Sequence, residues 1–290
     1  MAHRSADSLR ALPRCTFTVC ALTVFATLSL SAQGPGGGRR GPRMPSKVKL
    51  VERFDANKNG WLEREERDAA RAAREQEGNQ RGRRGGPGGR FGRRRGRPGG
   101  GPTEPGKPGP VVSPTDVESF DTELYDTSVV RTLFLTFEHE DWVTELEAFH
   151  KTDVDVPADL MVDGKEFPRI GVRYRGNTSF RSVSADRKRS FNLSIDFQND
   201  DQRLRGFKTL NLLNCHSDAS MLREVVHAHV GGKFAAVPRA NLVHLVINGR
   251  SWGLYANVEQ INKDFQDRAF GTRKGARWRV PPDFSGGGGL

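Results

Sequence analysis

Residues 242–258 read Leu242-Val-His-Leu-Val-Ile247-Asn248-Gly249-Arg-Ser-Trp252-Gly-Leu-Tyr-Ala-Asn-Val258, two β-rich arms around an Asn-Gly pair. Asn and Gly accept the positive φ that a two-residue hairpin turn demands, so this is the strongest hairpin signal in the chain. Its arms are Leu242 to Ile247 and Trp252 to Val258. Working outward, Leu160 to Val162 followed by Asp163-Gly164 and a short second arm reads as another tight hairpin. Thr132 to Phe137, Ile170 to Tyr174 and Phe191 to Phe197 alternate as strands, and Leu210 to Leu213 adds one more. Trp142, Leu146 and Phe149 recur at helical spacing behind an acidic first turn at Glu138, Glu140 and Asp141. A second helix runs from about Ala219 to Val230, capped by Ser217 or Asp218 and stopped by Gly231-Gly232. Residues 113–290 are therefore expected to form an α+β domain, a mostly antiparallel sheet interrupted by helices, with enough chain for a sizeable core.

The residues before this domain differ in kind. Arg4, Arg10 and Arg14 precede an apolar run from Phe17 to Leu30, and Ser31-Ala32-Gln33 supplies small residues for cleavage. Residues 1–32 thus read as a secretory signal peptide, too short and too broken by Thr and Ser for a transmembrane span. The expected location is secreted, periplasmic or at the cell surface, with no transmembrane span after cleavage. Cys15 and Cys20 would leave with this segment, so Cys215 alone remains and no intrachain disulfide forms. Cys215 beside His216 is read as a buried small thiol in preference to a nucleophile or zinc pair. His227, His229 and His244 are read as structural as well.

The chain carries 46 Lys and Arg against 35 Asp and Glu, a net charge of +11, and most of the excess sits between Gln76 and Val112. There Arg81, Arg83, Arg84, Arg90, Arg93, Arg94, Arg95 and Arg97 alternate with Gly and Pro. Such a composition buries too little apolar surface to offset the entropy of ordering, so 76–112 is expected to be a disordered linker, and 33–44 a shorter flexible one. In an intracellular chain the Arg-Gly repeat with Phe91 would point to RNA. Behind a signal peptide, contact with anionic cell-surface polymer is the preferred reading and nucleic acid is not.

Between the linkers, residues 55–66 read Asp-Ala-Asn-Lys-Asn-Gly-Trp-Leu-Glu-Arg-Glu-Glu. This is the spacing of an EF-hand calcium loop. Ca²⁺ takes about six to eight oxygens, so a loop can wrap it only if oxygens alternate and the backbone turns midway. Asp55, Asn57 and Asn59 offer side-chain oxygens, Trp61 its carbonyl, Glu63 a ligand through water and Glu66 a bidentate carboxylate, while Gly60 makes the turn. Leu62 is expected to pack inward. Leu50, Val51 and Phe54 mark an entering helix with Ser46 as its N-cap, and Arg67 to Glu75 an exiting helix. That helix offers only Ala69, Ala70, Ala72 and Ala73 as apolar contacts, so it is expected to be weakly anchored. With a long linker behind it, the helical EF-hand module at 45–75 is not expected to couple to the domain at 113–290.

Five ordered strings within that domain carry a family likeness. They are Gly171-Val-Arg-Tyr-Arg-Gly-Asn-Thr-Ser179, Lys188-Arg-Ser-Phe-Asn-Leu193, Asp218-Ala-Ser-Met-Leu-Arg-Glu224, Val246-Ile-Asn-Gly-Arg-Ser-Trp-Gly-Leu-Tyr255 and Glu259-Gln-Ile261. Across most of residues 130–271 the chain resembles the spore coat protein H (CotH) kinase-like family. The resemblance implies an atypical protein-kinase-like N-terminal lobe that binds ATP with Mg²⁺ or Mn²⁺ and phosphorylates Ser or Thr in surface or secreted proteins. Such a lobe needs a lysine held on a strand and usually a helical carboxylate to orient it. Lys188 is the candidate for the phosphate contact and Glu224 for its partner, with Arg187 and Arg189 as adjacent alternatives and exposed charges as the plain reading. Arg173 and Arg175, on one side of a strand, are further phosphate candidates or else structural ion pairs. Glu259 and Gln260 are candidates for reading the adenine edge, and Asp218 is read as a helix cap before a metal ligand.

Family members carry their metal-binding and catalytic carboxylates in a C-terminal lobe, beyond the region matched here. Asp153/Asp155 and Asp200/Asp201 do not match that segment, so no catalytic residue is assigned. The chain is expected to be either a fragment of a longer reading frame or a catalytically incomplete lobe, and the fragment is preferred. The competing function is a noncatalytic, calcium-dependent surface or matrix protein.

Overall fold

A computed structural model describes residues 47–84, 107–184 and 187–278. The chain divides into a unit of residues 1–45 and a unit of residues 46–290, and every described residue lies in the second. The expected signal peptide at 1–32 and the expected linker at 33–44 fall outside the described residues, as does the stretch 85–106 of the Arg-rich segment.

Seven strands close into a barrel. They are β1 (Arg131–Thr136), β2 (Val156–Val162), β3 (Lys165–Tyr174), β4 (Phe191–Ser194), β5 (Thr209–Leu213), β6 (Ala240–Ile247) and β7 (Arg250–Glu259), in the order β1-β2-β3-β4-β5-β7-β6. Every pairing is antiparallel except the last, where β6 runs parallel to β1 with Leu133 opposite Leu245. Alternate residues fill the interior: Leu133, Leu160, Val172, Leu193, Leu212, Leu245 and Tyr255 are buried there. Both tight hairpins form as the sequence predicts. Asp163 and Gly164 lie at φ 51° and 72°, and Asn248 and Gly249 at 47° and 75°. Closure was not legible from the strand pattern; pairing β1 with β6 removes two open edges that would otherwise template association.

Among the helices, α3 (Trp142–Ala148) packs against β2 and β3, and α5 (Arg223–Gly231) against β6 and β7. The α5 helix starts later than Ala219, because Asp218 and Ser220 first form a turn: Asp218 accepts from Ser220 N, Ser220 Oγ and Arg223 N. Two helices were not anticipated, α4 (Thr178–Ser182) and α6 (Lys263–Phe270). The second carries recognisable ends, an Asn262 cap on Asp264 N and Phe265 N and a left-handed Gly271.

The acidic-loop module departs most from expectation, because it is packed on the barrel. Its entering helix α1 is short (Val51–Phe54), and its first N–H groups are taken by Asp153, whose Oδ1 accepts from Leu50 N at 2.7 Å and Val51 N at 3.4 Å. Ser46 lies outside the described residues. Leu50, Leu62 and Ala70 join the same apolar core as Leu146 and Phe149. The exiting helix α2 runs Arg64–Arg84, into the stretch read as linker from Gln76, since a nucleated helix propagates at little cost through Gln, Glu and Arg. Nor is it weakly anchored. Arg67 pairs with Glu145 (2.5 Å), Arg64 and Arg71 pair with Asp141 (3.0 and 2.8 Å), and Arg74 donates to the Ala148 carbonyl. Arginine-carboxylate pairs replace the apolar contacts that the alanines could not supply.

Candidate functional site

Lys188 stands just before β4, and Asn214 holds its backbone: Asn214 Nδ2 donates to the Lys188 carbonyl at 3.0 Å while Asn214 Oδ1 accepts from Ser190 Oγ at 3.0 Å. Its ammonium donates to the Leu254 carbonyl and lies 4.5 Å from the centre of the Tyr255 ring. Among the described residues no carboxylate pairs with it. Half-burial pushes its pKa below the usual lysine range, and the nearby Cys215 thiol counters this only in part. The ammonium borders a cavity of about 1410 Å³. One wall of this cavity is aromatic, Trp142 and Trp252 in an edge-on contact at 5.5 Å. Arg187, Arg250 and Lys107 add cationic lining, and among the described residues Asp218 is the single carboxylate. An anchored, half-buried cation facing a cation-rich cavity is suited to holding an anion with an apolar body. Arg189, the adjacent alternative, is committed elsewhere, to Glu147 (2.7 Å) and the Val183 carbonyl.

The remaining sequence candidates are not gathered here. Glu224 is exposed on α5 and makes no ion pair with Lys188; with Arg223 it lines an adjoining pocket that shares Asn214, Cys215, His216, Ser217 and Asp218 with the Lys188 cavity. Arg173 and Arg175 do share one side of β3, but it is the outer side of the barrel. Arg173 Nε faces Asn192 (3.1 Å) and Asp155 (3.2 Å), and Arg175 donates to Asn211. Burial pushes the Asp155 carboxyl above its ordinary range, an effect that Arg173 opposes. Glu259 is buried and spoken for, accepting from Arg268 Nη2 (2.6 Å), Arg268 Nε (3.1 Å) and Arg239 N (3.0 Å). Gln260 accepts from Asn211 Nδ2 at 2.9 Å. In the structure these two residues tie the end of β7 to α6 and β5, away from the Lys188 cavity.

The acidic loop forms the second candidate site. Gly60, at φ 92°, makes the turn, and a Cβ there would meet nothing, so glycine is needed for conformation alone. Asp55 accepts from Asn59 N (3.2 Å) and Gly60 N (2.8 Å), Asn57 from Asn59 N (3.0 Å), and Asn59 from Trp61 N (3.0 Å). Glu66 spans the loop, taking Ala56 N and Glu63 N at 2.8 Å each. Beyond these bonds each carboxylate or amide oxygen keeps lone pairs for a cation. Among the described residues no three His, Cys, Asp or Glu side chains gather as a metal cluster, so an ion here must also draw on the amide oxygens of Asn57 and Asn59. The donor set is all oxygen, which fits Ca²⁺.

Residues 172–281 match the family model described as CotH kinase protein. The chain carries a CotH segment. It opens in β3, includes Lys188 and Asp218, and takes in both arms of the Asn248-Gly249 hairpin, so the cavity belongs mostly to it. Residues 130–171, which the sequence likeness also embraced, lie before the match, as does the calcium loop. No curated protein matches the chain. Sequence reasoning missed the aromatic wall, half of which lies outside the CotH segment: Trp142 reads as an ordinary core position at helical spacing, and nothing local places it opposite Trp252. It missed the hydrogen bonds of Asp153 to the start of α1 for the same reason.

Proposed function

We propose that the barrel is the nucleotide-holding lobe of a secreted CotH-type kinase, in which Lys188 meets the polyphosphate of ATP and the apolar wall of Trp142 and Trp252 faces the base. The observation that carries this is the anchored Lys188 ammonium, without a carboxylate partner among the described residues, at a cavity formed mostly by the CotH segment. In this reading the lobe is atypically protein-kinase-like, and the γ-phosphoryl goes to Ser or Thr of surface or secreted proteins. Among the described residues Asp218 is the one carboxylate lining the cavity, so a full ligand set for the Mg²⁺ or Mn²⁺ of the nucleotide is not assembled from them, and no transfer step is assigned to them. Loop 55–66 is the calcium site, with Asp55, Asn57, Asn59, Glu63 and Glu66 as ligands. Residues 1–32 direct export, and the Arg-rich stretch touches anionic polymer. No helix among the described residues is long and apolar enough to cross a membrane.

The test is equilibrium binding of ATP to the full chain, with Lys188→Met as the variant. A loss of about tenfold or more in affinity is expected, from removing a charge-assisted contact; equal affinity would refute the assignment. A second reading, a noncatalytic calcium-dependent surface protein, is favoured by the commitment of Glu259 to arginines and the lack of an ion pair between Lys188 and Glu224 among the described residues. It predicts thermal stabilisation by Ca²⁺ with none by ATP.

A further inference from the structure

The calcium loop is joined to the barrel at the residues that would hold the ion. Glu63, the ninth residue of the loop, gives its Oε2 to Arg169 of β3 at 3.2 Å, while its Oε1 accepts from Trp61 Nε1 at 2.8 Å. Arg169 is itself held in place: its N–H donates to Asp159 (2.8 Å), its Nε to Gln198 (2.5 Å), and its backbone sits at φ 49°. Trp61, the seventh residue, lies 6.1 Å from the ring of Phe197. Phe197 in turn covers Gly171 of β3 so closely that a Cβ there would come within 2.8 Å of it. The start of the loop is tied as well, because α1 is capped by Asp153, and its end is tied because α2 begins with Arg64 and Arg67 bound to α3.

We infer that calcium occupancy of the loop is linked to the barrel, with Glu63 shared between the ion and Arg169. The inference rests on the calcium reading of the loop and adds a consequence to it. An ion that binds only the folded loop stabilises whatever must fold with it. Leu50, ahead of the ligands, and Leu62, between Trp61 and Glu63, lie in the barrel's own apolar core, so the loop cannot hold its ligand geometry while the barrel is open. Linkage is reciprocal, so the barrel sets calcium affinity as calcium sets barrel stability. The sign at Glu63 follows from charge: Arg169 competes with the ion for a carboxylate oxygen, and removing the guanidinium frees that oxygen. The pair is about half exposed, so the effect on affinity is modest.

The test uses the full chain. Calorimetric titration with Ca²⁺ measures binding at the loop, and hydrogen exchange of peptides spanning β1 to β3 reports the barrel with and without Ca²⁺. At about a hundredfold excess over Kd, the slowest barrel amides are expected to exchange up to about 100-fold more slowly. Arg169→Gln is expected to bind Ca²⁺ about two- to fivefold more tightly. Binding heat with unchanged barrel exchange would overturn the linkage and leave the calcium site standing. Unchanged or weaker affinity in Arg169→Gln would overturn the sharing of Glu63. A silent titration would overturn the calcium reading itself, and the inference with it.

Discussion

Arg67 and Glu145, 78 positions apart, form an ion pair at 2.5 Å whose side chains are 4% and 1% exposed. It fastens the helix that leaves the acidic loop at 55–66 to α3 of the barrel domain. Arg67 also donates to the Leu62 carbonyl at 2.9 Å, so the same guanidinium fixes the loop's inward-facing leucine. A buried pair of this kind gives little net stability over an apolar replacement, but each partner is costly to strand.

Arg67→Ala should therefore destabilise the full chain by about 3 kcal/mol, because the buried Glu145 carboxylate loses its close partner and keeps only Arg64 at 3.4 Å. Replacing both residues with Met should recover most of the loss. Urea unfolding of the two variants checks this, and equal stability of the single and double variants would contradict it.

Asp141 gives the pH counterpart. Hydrogen bonds from Arg64 and Arg71 hold its carboxyl down at about 2, against an ordinary value of 3.8. A depressed carboxylate contributes stability that is complete above the unfolded value and is lost as pH falls through the folded one. The contribution should vanish between about pH 4 and pH 2. Asp141 is 37% exposed, so solvent screening limits it to about 1 kcal/mol. Asp141→Asn should flatten the acid limb of a stability-versus-pH curve over that window.

Gly171→Ala tests the packing between the loop's aromatic neighbour and β3. The added Cβ would meet Phe197 Cγ at 2.8 Å and Asp155 Cβ at 2.9 Å. Overpacking of this kind costs about 1–3 kcal/mol. Thermal unfolding should show it, and the Trp61–Phe197 contact should loosen with it, visible as a change in tryptophan emission.

Lys188 should make ATP affinity depend on alkaline pH. The anion binds the charged form, and burial lowers the pKa at which that charge is lost. Affinity should fall as pH rises through a midpoint below the ordinary lysine value of 10.5, and Lys188→Arg should abolish the fall. Binding measured from pH 7 upward decides the matter.

The strand runs, the two tight turns and the spacing of residues 55–66 were all readable one segment at a time. Each rests on a local rule: side chains alternate every second residue, Asn248-Gly249 and Asp163-Gly164 accept positive φ, and the oxygens of Asp55, Asn57, Asn59 and Glu66 are bonded to N–H groups of their own loop. Lys188 was also legible as a candidate, through a family string covering it. What the chain did not reveal locally was company. Glu259 looked free until Arg239 and Arg268 came to it, and Glu224 looked like a partner for Lys188 but stands exposed on α5 without pairing to it.

Local sequence thus determined which segments become strands and hairpins and which residues ring the acidic loop, since backbone sterics and side-chain period act between neighbours. Tertiary structure alone decided that β1 closes on β6, that Trp142 faces Trp252, and that Arg64, Arg67 and Arg71 bind α3. These choices pair groups that are distant in the chain, and a charge or a strand edge carries no mark of its partner until the packed core brings the two within reach.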